Sequence, residues 1–183
     1  MTPRRLLPLA SAAALLAVGS LAPTASHAFD MLGFRGGMSL DAFVAQARAG
    51  GYAITASGVA GENLPEGAWA GERLLGASLE RKDAPRLNAF LCGGRLQSLS
   101  EVIDGGLDAF VREVAGAQGR FSAPGTPGKA VSRNLTPKHV LSSLSVGWPD
   151  ARQGTYRVEV VSASGSSAVH RGWSTRLEGC EEG

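Results

Sequence analysis

Five residues recur unchanged in this chain, and they constrain its fold more than any other feature. Leu40-Asp41-Ala42-Phe43-Val44 reappears 67 positions later as Leu107-Asp108-Ala109-Phe110-Val111. Each copy begins a run of apolar residues at helical spacing: Leu40, Phe43, Val44 and Ala47 in the first, Leu107, Phe110, Val111, Val114 and Ala115 in the second. Ser39 stands where an N-cap belongs, and Asp41 and Asp108 place a carboxylate in each first turn, where the helix dipole favours it. Gly50-Gly51 and Gly119 stop the two runs. Helices this short are marginal alone, so each stripe must be laid on something.

What the stripes lie on reads as an antiparallel sheet. Leu74 to Glu80, Leu87 to Cys92 and Arg95 to Val102 are strand runs, the last two joined by Gly93-Gly94, a hairpin link that supplies positive φ at both positions. In the second half Leu144, Val146 and Trp148 alternate, Pro149-Asp150 turns the chain, and Tyr156, Val158 and Val160 alternate again. Ser164-Gly165-Ser166 turns it once more, and Ala168 to Thr175 returns. Ser57 to Gly71 and Ser122 to Pro137 are rich in Gly, Pro and Ala and read as surface loops. The fold class expected is α+β: short helices on one face of an antiparallel sheet, built as a tandem duplication of a helix-plus-meander unit, residues 29–104 and 105–183, within one mature domain, 29–183.

That mature domain is set by the N-terminus. Arg4 and Arg5 precede an apolar stretch from Leu6 to Leu21, and Ser26-His27-Ala28 presents small residues for cleavage near Ala28. Pro8, Gly19 and Pro23 interrupt it, so residues 1–28 read as a signal peptide and not as a spanning helix, which needs about 20 apolar residues. The expected location is the periplasm or the exterior, with no stable membrane insertion. Removing Arg4 and Arg5 from 18 Lys+Arg leaves 16 against 16 Asp+Glu, a formal charge of zero. The basic residues are scattered among acids, which excludes a nucleic-acid-binding face.

Cys92 and Cys180 are the two cysteines of an exported chain and are expected to pair. The competing reading is a small secreted hydrolase using Cys92, or a serine, with His139 or His170 as base. No catalytic motif is present, however. The serines form no Gly-x-Ser-x-Gly elbow, the histidines stand at no metal-ligand spacing, and the paired glycines form no phosphate loop. No metal, cofactor or catalytic residue is therefore assigned. The aromatic residues are the features suited to an interface, with Trp69 expected in an exposed loop and Trp173 on a strand. Arg120, Arg133 and Arg152 are the cations available to rim such a patch, and their sequence positions do not place them against it.

The Gly37-Met38-Ser39 start of a short helix, followed by a three-stranded meander, resembles the module of the SmpA/OmlA envelope lipoproteins. Two such units side by side resemble the β-lactamase inhibitor protein family. The lipoprotein cysteine is absent, so anchoring is not implied, and no segment matches the inhibitory contacts. The resemblance implies a sheet that binds other proteins. The function expected is a non-catalytic protein-binding or envelope-associated module whose partner is another envelope or extracellular protein.

Overall fold

The computed structural model describes residues 28–58, 62–128, 130–136, 139–163 and 165–180; the expected signal peptide lies outside them apart from Ala28. The chain opens with a small hairpin, β1 (Asp30–Met31) and β2 (Phe34–Arg35). Helix α1 (Leu40–Ala49) follows, its first turn capped by the Ser39 hydroxyl, which accepts from the Ala42 N–H at 3.3 Å. Then come β3 (Ala53–Ser57), β4 (Asn63–Leu64), a 3-10 turn (Glu66–Gly71), β5 (Leu74–Glu80), β6 (Arg86–Cys92) and β7 (Arg95–Asp104). The second half holds α2 (Leu107–Arg120), β8 (Thr126–Pro127), β9 (Val131–Thr136), β10 (His139–Asp150), β11 (Gly154–Ala163) and β12 (Ser166–Ser174).

Ten strands make one antiparallel sheet in the order β4-β3-β5-β6-β7-β12-β11-β10-β8, with β9 also on β10. Gly93 and Gly94 have φ of 56° and 71°, the left-handed pair that closes β6 onto β7 as expected. Asp150 closes the β10–β11 turn, its carboxylate accepting from the Arg152 and Gln153 amides at 2.7 and 2.9 Å. Each half is thus a helix leading into a meander, and the last strands of the two, β7 and β12, lie side by side. Their pairing makes one sheet of the two meanders.

The register shows that both helices lie on the same face. Ala56, Ala77, Ala89, Leu99, Trp173, Tyr156 and Trp148 stand opposite one another in turn from β3 to β10, so their side chains share a side. Phe43 and Ala47 of α1 pack over the first half of this side with Leu79 and Leu87. Phe110 and Ala117 of α2 pack over the second half with Trp148 and Val158. Trp173 touches both cores. The α+β class and the arrangement of helices on one sheet face hold.

Several local expectations are corrected. In α2 the buried stripe is Ala109, Phe110 and Ala117, with Val114 half-buried, whereas Leu107 and Val111 are 62% and 57% exposed and Ala115 is exposed too. In α1 the matching Leu40 and Val44 are half-buried within a core that includes Met31 of the N-terminal hairpin. The second half has no hairpin before its helix, which follows β7 after Gly105 and Gly106 alone, so that helix settles by a different edge. The expected loop over Ser122 to Pro137 contains β8 and β9, and that over Ser57 to Gly71 contains β4 and the 3-10 turn. Trp69 is not exposed: only 8% of its surface is, and its indole N–H donates to the Leu64 carbonyl at 3.0 Å. A turn of Glu66–Gly71 folds this apolar side chain back into the first core.

Candidate functional site

On the sheet face away from the helices, each strand contributes the alternate set of side chains. Thr55, Ser78, Asn88, Ser100, Gly172, Arg157 and Gly147 form one row, and Ser57, Gly76, Phe90, Ser98, Ser174 and Thr155 the next. Apart from Arg157 and Phe90 these residues are glycines or short polar side chains, as suits a face on which no helix is laid. Near the β7–β12 join this face sinks into a groove of about 270 Å³ lined by Phe90, Ser98, Ser100, Arg157, Glu159, His170 and Gly172. The β-bulge where Leu91 pairs with Leu96 leaves Gln97 as the extra residue. Gln97 also lines this groove, is 5% exposed, and carries a buried Oε1 that accepts no hydrogen bond among the described residues.

His170 stands between Val102 and Glu159 in the ladder, with Arg86 opposite Val102. Burial pushes its pKa below the ordinary histidine value of 6.5; the Glu159 carboxylate partly opposes this, and the Arg86 guanidinium adds to it. A proton therefore binds more readily to the unfolded chain than to the folded one. Stability is expected to be full above pH 6.5 and to fall as the pH drops below that value toward the folded-state pKa. Denaturant midpoints taken at about pH 7.5 and pH 5 check this: His170→Gln should shrink the difference between them. An unchanged difference would show that His170 titrates as freely folded as unfolded.

A second groove of about 570 Å³ opens on the helix side, between the N-terminal hairpin and α2. Its lining brings together two of the residues singled out from sequence, Trp173 and Arg120. The Arg120 guanidinium lies 5.0 Å over the Tyr156 ring and donates to the Tyr156 hydroxyl at 2.9 Å. Tyr156 in turn meets Trp173 edge-on, their rings 5.3 Å apart. Beside them Arg171 binds two carboxylates at once, Glu101 at 2.6 Å and Glu113 of α2 at 2.8 Å. Partial burial works against this guanidinium, but its hydrogen bonds to Glu113 and Glu101 outweigh that and raise its pKa. The trio ties α2 to both strands of the join.

Cys92 and Cys180 form a disulfide with Cα atoms 6.1 Å apart, so Cys92 carries no thiol. His170 makes no side-chain hydrogen bond to a serine among the described residues. The side chain of His139 lies outside the described residues. Among the described residues no three of His, Cys, Asp and Glu are placed to hold a metal ion, and no helix is long and apolar enough to cross a membrane. Sequence reasoning missed the polar face and its Gly172 floor, because glycine inside a strand reads only as a weak strand former. It also missed Arg112, Arg171 and Gly116, which join Arg120 in the helix-side groove. Arg112, Gly116 and Arg120 at intervals of four were the signal that could have found the last of these. Comparison with protein-family models, with curated proteins and with solved structures finds no match to this chain.

Proposed function

We propose that this is an exported, non-catalytic protein-binding module that presents the helix-free face of its sheet to another envelope or extracellular protein. The observation that carries the reading is that face itself. Short hydroxyl and amide side chains cover it across the join of two meanders, around a groove with an aromatic residue, two charges and an unsatisfied buried acceptor. Such a surface offers hydrogen-bonding groups to a partner's loop, with Phe90 as an apolar anchor. The Cys92–Cys180 bridge supports an oxidising compartment, and the two helix-plus-meander halves support the duplication at residues 29–104 and 105–183. The likeness to the tandem inhibitor-protein fold belongs to this same reading.

Two measurements test it. An intact mass of the exported protein should begin at Phe29 and take up no alkylating reagent until reduced; a mass beginning at Met1, or alkylation without reduction, would remove the export reading. For the binding face, a benzophenone amino acid is placed at Ser100 or Ser174 and, as a control, at Ala45 on the exposed side of α1. A single adduct of defined mass is expected from the sheet positions in native envelope extract, competed away by unlabelled protein. Equal labelling from Ala45, or none from the sheet, would count against the helix-free face as the contact surface.

A further inference from the structure

We infer that the groove between α2 and the N-terminal hairpin is a second, separate binding site, and that it takes a carboxylate-bearing peptide segment. Arg112, Gly116 and Arg120 lie four residues apart on α2, so they form one row with a rise of about 6 Å per step, and all three line this groove. Glycine inside a helix costs about 1 kcal/mol relative to alanine. Nothing among the described residues requires one here: a Cβ built on Gly116 meets none of their atoms within 4 Å, and its backbone is ordinary helix. What the missing side chain leaves is an open floor between two guanidinium groups.

Those two groups are the cations still available. The carboxylates in the groove, Glu101 and Glu113, are both held by Arg171. Among the described residues Arg112 has no carboxylate partner, and Arg120 is held only by the neutral Tyr156 hydroxyl and ring. That contact orients the guanidinium without neutralising it and leaves other N–H donors free for a planar oxyanion. Three guanidiniums against two carboxylates leave the groove positive. Its remaining wall is apolar, formed by Tyr156, Trp173 and Met31. Paired donors beside an aromatic wall suit an acidic side chain next to an apolar one.

The site is on the opposite face from the proposed protein-binding surface. It rests on that reading only in drawing the carboxylate from a protein; Trp173 borders both grooves, whereas Arg112, Gly116 and Arg120 line this one alone, so their variants keep the two separable. The probe is the peptide acetyl-Leu-Glu-Tyr-Glu-amide, with its Gln-for-Glu analogue and inorganic phosphate as further arms, and the signal is the indole N–H resonance of Trp173, assigned with Trp173→Phe. A saturable shift is expected with the acidic peptide and at least about tenfold weaker binding with the Gln analogue. Arg112→Gln and Arg120→Gln should each weaken binding by about tenfold. Gly116→Leu should abolish binding while raising the thermal midpoint, since leucine is the better helix former. Gly119→Leu is the matched control: its Cβ also meets nothing within 4 Å, it is exposed on the same helix, and it does not line the groove. It should leave binding intact. No saturable shift, equal binding of the Gln analogue, or wild-type binding by Gly116→Leu would overturn the assignment. An equal response to phosphate would replace the peptide with a simple oxyanion and overturn it too.

Discussion

Reduction of the Cys92–Cys180 bond, or its removal by Cys92→Ala with Cys180→Ala, is expected to destabilise the protein by about 2–5 kcal/mol, lowering the thermal midpoint by roughly 5–15 °C. The bond spans 88 residues, so in the unfolded chain it closes a long loop and removes much of that state's freedom. On the folded side it anchors a tail with few other attachments. Past β12 the chain is held by Thr175 N–H donating to the Gln97 carbonyl at 2.8 Å and by Arg73 donating to the Gly179 carbonyl at 3.3 Å. Leu177, half-buried, lies beside Gly37. Denaturant unfolding with and without reductant, together with hydrogen exchange, separates the two contributions. The amides of residues 176–180 should lose protection on reduction while the β10–β11 ladder keeps it. A midpoint unmoved by reduction would mean that the tail is seated by packing alone and that the bond is redundant.

The same reduction bears on function. Cys92 is 3% exposed and sits at the end of β6, directly before the Gly93-Gly94 turn. The bond therefore fixes the end of the sheet from which β7 rises to meet β12. A thiol enzyme would gain a nucleophile on reduction; a binding module gains nothing and loses rigidity. Photocrosslinking yield from Ser100 is accordingly expected to fall in reductant.

Much of the sheet was legible because its signals are local. Alternation marks the long strands, and two adjacent glycines with positive φ are almost a statement of a hairpin. The helix repeat was legible for the same reason, and Phe43 and Phe110 are both buried as their shared position demands. Where the reading failed, a distant segment decided the outcome. Leu40 is covered and Leu107 is not, although the five residues around them are identical, because the hairpin at Asp30–Arg35 stands over one helix and has no counterpart over the other. The Gly-, Pro- and Ala-rich stretch around Trp69 reads as a surface loop, yet a short 3-10 helix was enough to bury it. In the helix-side groove, Trp173 and Arg120 were readable as an aromatic and a cation suited to contact. Their meeting through Tyr156 was not, since it joins α2, β11 and β12 across the fold. Arg171 is the clearest case: its two carboxylates lie 70 and 58 residues away in sequence.

Gly172→Ala is expected to be a severely damaging added methyl, costing about 3 kcal/mol or more. The residue's own φ is not the obstacle; space is. An ideal Cβ on Gly172 would lie inside the van der Waals shell of the Leu99 carbonyl oxygen, 2.5 Å from the Ser100 Cα and 2.8 Å from the Leu99 carbonyl carbon. All three atoms are backbone of the neighbouring strand, so no rotamer change relieves the collision. Gly172 pairs with Ser100 in the ladder between β7 and β12, and that ladder is what joins the two meanders. Relief therefore means parting the strands at the join, disturbing Trp173 below and the groove of Ser98, Ser100 and His170 above. The thermal midpoint should drop by roughly 10 °C, and amides from Ser98 to Ile103 and from Val169 to Ser174 should lose exchange protection before those of β5 and β11 do. Gly116→Ala is the natural comparison, the same added methyl in a place where it meets nothing, and it should stabilise by up to about 1 kcal/mol. If Gly172→Ala instead melts like the wild type, β7 and β12 do not approach as closely as this register requires. The groove on the helix-free face would then lose its floor, and with it the main support for binding there.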